Sequence, residues 1–202
     1  MLAVSRSPLD RFNMPLPPAS SSRKLLHSRS IDVQAYQRDD GLVDIEAHLT
    51  DIKPIDTPLT AGIRSAGQPI HDLWLRLTID DRYQVVDVQA QSDAVPYTGY
   101  CDTIAPAYQA LVGTNLLKGF RSDVKARVGN ALGCTHLSEL SVVVPTVAVQ
   151  AIAGGQSADE PDVRPFQLDR CHAMASDGPG VLRYYPKWYR KKLPVGLSDE
   201  NP

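Results

Sequence analysis

The chain has 202 residues, of which 43% are hydrophobic and 22% are charged, as is ordinary for a soluble globular protein with one sizeable core. Its longest mostly apolar stretch, roughly residues 140–153, contains a proline and three polar residues and falls short of the ~20 apolar residues of a membrane helix. Residues 30–182 carry 11 basic and 20 acidic side chains between two basic ends, which argues against a nucleic-acid-binding surface on the folded part. The N-terminus lacks the apolar block of a secretory signal, and we expect a cytoplasmic protein.

The first predicted elements are an arm and a β-hairpin. Residues 1–24 are rich in Pro, Ser and Arg and predict an N-terminal arm or linker without a core of its own. Apolar and polar residues alternate over residues 31–36 and again over residues 43–49, and residues 38–41 between them are typical of a tight turn.

Two more strands follow a Pro- and Gly-rich connection at residues 54–69. They cover residues 71–79 and 83–91, which gives an antiparallel meander of about four strands. If the polar face of this sheet is open to water, it is a solvated surface with salt bridges; if it is covered, its groups are raw material for acid–base catalysis. The side chains predicted on this face are Asp32, Asp44, Glu46, His48, Asp72, Trp74, Arg76 and Asp87.

The pattern after Pro96 is helical. It predicts helices at residues 103–112 and 119–128, and a third that begins at Thr135 and is kinked or split by Pro145. The sum is an α+β core domain over residues 25–155, in which three helices pack on one face of the sheet. Residues 156–202 form an extended C-terminal segment with an aromatic–basic tail. We expect this tail to cover the acidic body or a partner subunit, which favours a homodimer.

Three cysteines cannot form a disulfide framework without leaving one unpaired. Cys101 and Cys134 each precede a predicted helix start, where unpaired N–H groups favour a thiolate. With His136, they form a candidate site for one zinc or iron ion. The alternatives left open are inert buried thiols and a reactive catalytic thiol.

The remaining candidates are acids, bases and aromatic side chains. The chain contains no Gly-rich phosphate loop, dinucleotide fingerprint or hydrolase motif, so a nucleotide cofactor is not expected. For a small-molecule enzyme, we expect a base (His71 or His48), its partner or the acid (Asp72 or Glu46), a substrate-carboxylate ligand (Arg76) and ring contacts (Trp74, Tyr100 and Tyr97).

Five motifs carry a resemblance to a known family. They are His27-x-Arg29, the run from Tyr36 to Glu46, the run from Ile70 to Thr78, Cys101-x-x-Ile104-Ala105-Pro106, and the run from Gly133 to Leu137. Over roughly residues 23–153 the chain resembles the bacterial domain-of-unknown-function family 2889. The resemblance implies a cytosolic α+β domain without established catalytic residues, in a family often associated with the catabolism of aromatic compounds.

The architecture also resembles that of U-type iron–sulfur cluster scaffolds. Cys101 and Cys134 (or His136) would correspond to the first and last ligands of that pattern, whereas the middle cysteine has no counterpart. Two functions follow as expectations. One is a lyase- or isomerase-type enzyme acting on a lignin-derived or phenylpropanoid-like compound, and the other is a metal-binding carrier. Both assume that the polar sheet face and the thiols meet in one shielded cavity.

Overall fold

A computed structural model of the chain describes residues 19–153 and 163–191. Most of the predicted N-terminal arm lies outside the described residues. The contacts divide the chain into two compact units, Met1–Ile152 and Ala153–Pro202.

The first unit is built on a four-stranded antiparallel sheet, as predicted. The strands are β1 (Ser28–Gln37), β2 (Val43–Ile52), β3 (Thr57–Leu59), β4 (Gly62–Arg64), β5 (Pro69–Ile79) and β6 (Val85–Ala94). The strand order of the sheet is β1-β2-β5-β6, and β3 and β4 form a separate two-stranded ribbon in the predicted connection. Gly41, with φ +85°, makes the turn between β1 and β2 because glycine adopts positive φ without a steric penalty.

Alternation along β2 and β5 divides the sheet into two faces. Every second residue of β2 from Val43 onward is buried, while the residues between them are partly exposed. Leu73, Leu75 and Leu77 of β5 continue the buried face. We call this the core face, and the opposite one, which carries the polar residues predicted above, the open face.

Two α-helices of the first unit contribute to the core on this face. They are α1 (Phe120–Val128) and α2 (Thr135–Ala153), and both agree with the prediction. Pro145 lies inside α2 and does not split it. The helix expected at residues 103–112 consists instead of two 3-10 helices, Cys101–Thr103 and Ala105–Leu111. The break follows from Pro106, which lacks a backbone N–H and fixes φ, and such short segments favour 3-10 geometry.

The long helix α2 supplies much of the core. Leu137, Leu140, Val144 and Ala148, spaced three or four residues apart, are fully buried in the same cluster as the sheet residues. Among the described residues, α2 is also the helix that is long and apolar enough to cross a membrane. Core helices of soluble proteins meet the same criterion, so this alone is weak evidence for a membrane span.

The described part of the second unit contains one short α-helix and two 3-10 helices. The helix is α3 (Pro179–Tyr184), and a 3-10 helix (Pro186–Trp188) follows it in the predicted aromatic–basic tail. The side chains of Arg183 and Lys187 lie over the rings of Tyr184 and Trp188.

Candidate functional site

The candidate site is centred on Asp51, a carboxylate at a core-facing position near the end of β2. Antiparallel register places Arg29 of β1 on one side of it and His71 of β5 on the other. Arg29 donates to both carboxylate oxygens, from Nε to Oδ1 at 2.8 Å and from Nη2 to Oδ2 at 2.7 Å. The three residues therefore form one row across the sheet.

Asp51 is only 2% exposed, and its environment keeps it ionised. Burial raises the pKa of Asp51, but the hydrogen bonds and charge of Arg29, with help from His27 and His71, outweigh burial and lower the pKa to about 2. The Nε2 atom of His27 lies 3.0 Å from Oδ1 of Asp51. Arg29 itself is held by a further ion pair with Glu139 of α2.

Two histidine rings lie beside Asp51. The Nδ1 atom of His71 is 3.0 Å from Asp51 Oδ2, and the Nε2 atom of His136, in the first turn of α2, is 3.6 Å from the same oxygen. The ring centroids are 3.8 Å apart. Because an ionised carboxylate only accepts hydrogen bonds, Nδ1 of His71 carries the hydrogen and Nε2 is left for a ligand.

The pKa of His71 lies below its ordinary value. Burial lowers it first, and the charges of Arg29 and His27 lower it further, although Asp51 raises it. The ring is therefore neutral at pH 7 and able to accept a proton. The protonated ring would then be stabilised by the adjacent carboxylate. A neutral imidazole held by an ionised carboxylate is the arrangement that a general base requires.

The two rings form part of the wall of a cavity of about 480 Å³. That volume is within the range of small-molecule sites. The lining is mainly apolar, and its polar groups are few. The lining residues are His71, Leu73, Val95, Pro96, Tyr97, Tyr100, Cys101, Ile104, Gly133, Cys134, Thr135 and His136.

Cys134 lies immediately before α2 and is half-buried in this wall. Its Sγ atom is 3.8 Å from Nδ1 of His136. Burial raises the pKa of the Cys134 thiol, but the hydrogen bond to His136 and the backbone N–H groups of Leu137 and His136 outweigh it and lower the pKa.

The backbone of Cys134 is fixed by the buried side chain of Tyr108. The hydroxyl donates to the carbonyl of Cys134 at 2.7 Å and accepts from its N–H at 3.1 Å. The preceding residue is Gly133, where a Cβ would lie 2.2 Å from the carbonyl oxygen of Val128. Only glycine allows this close approach of the backbone.

A second polar cluster occupies the open face. His48 of β2 is stacked on Trp74 of β5, with ring centroids 3.7 Å apart, and its Nε2 lies 2.6 Å from Oδ1 of Asp72. Next to it, Glu46 accepts from Arg76, with a distance of 2.8 Å from Nε. Trp74 and these polar side chains are between a quarter and two fifths exposed. Glu46, Trp74 and Arg76 border a groove of about 430 Å³.

The structure thus divides the predicted site residues between two places. One group lines the cavity: His71, Tyr97, Tyr100, Cys101, Cys134 and His136. The other lies on the open face: Glu46, His48, Asp72, Trp74 and Arg76. The expectation that the polar sheet face and the thiols share one shielded cavity is wrong, because alternate residues of a strand point to opposite faces. His71 and Asp72 are neighbours in sequence and belong to different groups.

Asp51, Arg29 and His27 were not predicted as site residues from the sequence. Asp51 continues the alternating apolar positions of β2, and a charged residue in such a series is a signal of a buried, partnered group. In β1, Arg29 likewise lies at one of the alternate positions that face the core. That signal was readable from the sequence, whereas the approach of His136 depends on how α2 packs.

One group of metal-ligand atoms occurs among the described residues. The atoms of Asp51, His71 and His136 lie within 4.8 Å of one another, and neither Cys101 nor Cys134 belongs to this group. The distances suit a cation, but Arg29 already donates to both oxygens of Asp51. A divalent ion on this carboxylate would lie next to the positive guanidinium of Arg29, whose Nη2 atom is 2.7 Å from Oδ2, and this repulsion disfavours a metal here.

Comparison with known proteins identifies the family. A family model described as "Protein of unknown function (DUF2889)" matches residues 27–150. The chain belongs to this family. No curated protein and no solved structure matches the chain. The matched range of this DUF2889 protein contains Asp51, Arg29, His71, Cys134 and His136.

Proposed function

We propose that this DUF2889 protein is a small-molecule enzyme that catalyses a lyase- or isomerase-type step by acid–base chemistry, without a nucleotide cofactor. The observation that carries the proposal is the pair of imidazoles, one of them held by the buried Asp51, in the wall of an apolar cavity. A neutral base in the wall of a mainly apolar cavity is the arrangement that abstraction of a proton from an organic ligand requires.

The role assigned to His71 is that of the base. Its Nε2 atom takes a proton from the ligand, and Asp51 stabilises the resulting imidazolium through Nδ1–H. The proton then returns to a different carbon in an isomerisation, or to the leaving group in an elimination. His136, whose ring lies against that of His71, is the second group able to exchange a proton with the same ligand.

The substrate class that we propose is an aromatic compound, lignin-derived or phenylpropanoid-like. Two features support it: the apolar lining, and the rings of Tyr97 and Tyr100, both exposed at the cavity. Aromatic rings prefer offset-stacked or edge-to-face contacts with such side chains. The polar groups of the lining include His71, Cys134, Thr135 and His136, which suits a ligand that combines a ring with a polar reacting group.

The test is turnover of a panel of phenylpropanoid acids and lignin-derived aromatic dimers. Untagged protein in D2O is followed by proton NMR, which detects both product and exchange of an acidic C–H. We expect conversion or exchange with at least one member, undiminished by prior chelation of metals. Loss of turnover on chelation, together with about one zinc or iron per chain that disappears in His136→Ala, would contradict the metal-free proposal.

Homodimer formation and a cytoplasmic location stay predictions from the sequence. Light scattering on the eluate of a gel-filtration column measures the mass directly. A particle of twice the 22.1 kDa chain mass is the expected result, and a monomer would contradict it.

A further inference from the structure

Proton transfer by His71 leaves one reactive group of the cavity unused. Cys134 is not an isolated thiol, since it lies beside His136, which in turn faces Asp51. Its Sγ atom is 3.8 Å from Nδ1 of His136, and Nε2 of the same ring is 3.6 Å from Oδ2 of Asp51. A nucleophile, a base and an orienting carboxylate thus follow one another from the cavity wall to the sheet, which is the arrangement of an activated nucleophile.

Hydrogen bonds and a long helix hold the three residues of this series in place. Cys134 is fixed by the hydroxyl of Tyr108, which is fully buried, and His136 is in the first turn of the 19-residue helix α2. Asp51 is fixed by Arg29 from the neighbouring strand. The carboxylate of Asp51 favours the ring form of His136 that carries its hydrogen on Nε2. Nδ1 is then free to accept the thiol proton.

We propose that Cys134 is a nucleophile that binds the carbonyl carbon of an aromatic aldehyde covalently and reversibly in the cavity. The ligand class follows from the surroundings of the thiol. Apolar and aromatic side chains, among them Leu73, Ile104 and Tyr100, line the cavity and suit an aromatic ring, and the thiol lies beside His136 in the same wall. The inference rests on the proposed function in one respect, since it takes this cavity as the substrate site.

The step balances without an oxidant or a cofactor. The thiol proton of Cys134 moves to Nδ1 of His136, and the sulfur lone pair forms a bond to the carbonyl carbon. The π electrons of the C=O bond move to oxygen, which takes the proton from Nδ1 of His136. The product is a neutral hemithioacetal, and the reverse sequence releases the aldehyde.

The first measurement compares the thiols within the wild-type protein. Iodoacetamide is applied over a range of pH, and mass spectrometry of peptides gives the alkylation rate at each cysteine. Cys171, an exposed thiol of the second unit, is the internal control. We expect Cys134, although it is half-buried, to react faster than Cys171 below neutral pH, and His136→Gln to remove the difference. Equal or slower reaction of Cys134 in the wild type overturns the proposal.

The second measurement detects the adduct itself. Benzaldehyde labelled with carbon-13 at the carbonyl carbon is added, and NMR follows the shift of that carbon from the aldehyde to the hemithioacetal position. We expect the adduct signal in the wild type and in Cys171→Ser, and its loss in Cys134→Ser. A wild type without an adduct, or an adduct that persists in Cys134→Ser, overturns the proposal.

The outcomes also separate this inference from the proposed function. His71→Gln is expected to reduce turnover roughly 10²–10⁴-fold while the adduct at Cys134 still forms. If Cys134→Ser keeps both full turnover and the benzaldehyde adduct, the thiol has no role and the acid–base function of His71 is unaffected.

Discussion

At the residue scale, the site depends on one carboxylate. Asp51 accepts hydrogen bonds from Arg29, His27 and His71, and it is 2% exposed. A buried charge of this kind is tolerated only because its partners replace the water that it has lost. The same carboxylate therefore contributes to stability and orients His71, the proposed base, which gives two predictions.

The first prediction concerns stability in acid. The pKa of Asp51 falls from the model-compound value of 3.8 to about 2 in the folded chain. Because the folded value is the lower one, the contribution is fully present above about pH 4 and is lost as the pH falls to about 2. The shift corresponds to about 2 kcal/mol of unfolding free energy. Urea unfolding at a series of pH values should show this loss in the wild type.

The matched variant is Asp51→Asn. At neutral pH it should lose about 2–4 kcal/mol of unfolding free energy, because Arg29 loses the charge of the buried carboxylate that accepts two of its hydrogen bonds. Its stability should also depend less on pH than that of the wild type between about pH 4 and about pH 2. An unchanged slope in the variant would show that Asp51 does not carry the effect.

The second prediction concerns the pH dependence of turnover. His71 must be neutral to act as a base, and burial with the charges of Arg29 and His27 holds its pKa below 6.5. The acid limb of kcat/KM should therefore have its midpoint below that value. Arg29→Gln removes one of the charges that lower the pKa of His71, so the midpoint should move to higher pH. A midpoint that stays in place in Arg29→Gln would contradict this account of the base.

At the scale of elements, the start of α2 and the turn before it determine the position of Cys134 in the cavity wall. The turn before it brings Gly133 against the carbonyl of Val128 and sets Cys134 on the hydroxyl of Tyr108. Cys101, by comparison, begins a 3-10 helix of only three residues. In the sequence, both cysteines precede a predicted helix. In the structure, only Cys134 is followed by a long α-helix.

The third prediction tests this support. Tyr108→Phe removes a buried hydroxyl that bonds Cys134 and Ser138, and it should lower the free energy of unfolding by about 1–3 kcal/mol. It should also slow the alkylation of Cys134. Tyr83→Phe is the control, since the hydroxyl of Tyr83 has no hydrogen-bond partner among the described residues. Equal effects of the two variants on unfolding and alkylation would contradict the supporting role of Tyr108.

The sequence predicts best the elements in which apolar residues recur at a regular spacing. Alternation defined β2 and β5, and the apolar spacing after Thr135 defined α2. The ribbon of β3 and β4 was not predicted, because strands of three residues are too short to show alternation. The segment at residues 105–111 was assigned to an α-helix because α and 3-10 helices of that length have similar patterns.

At the scale of the whole molecule, the decisive fact is that the sheet separates two polar clusters. Strand alternation correctly predicted that the polar residues of the open face are neighbours. It also implied that the side chains of His71 and Asp72 point to opposite faces of the sheet. Which face encloses a cavity depends on where α2 and the loop at residues 95–104 pack. Such contacts between distant parts of the chain have no signature in the local sequence pattern.

The separation provides two matched imidazole–carboxylate pairs. His71 is bonded to Asp51 at the cavity, and His48 is bonded to Asp72 on the open face. Each pair joins β2 to β5, so that either substitution removes a similar contact between the same strands. The two pairs differ in the face on which they lie, and only His71 lines the cavity.

The most direct test compares turnover by His71→Gln and His48→Gln on the same aromatic substrate. Removal of a general base reduces the rate roughly 10²–10⁴-fold, and we expect a loss of this size in His71→Gln alone. His48→Gln should keep the wild-type kcat/KM. Full turnover by His71→Gln, or a loss confined to His48→Gln, would contradict the assignment of the chemistry to the cavity.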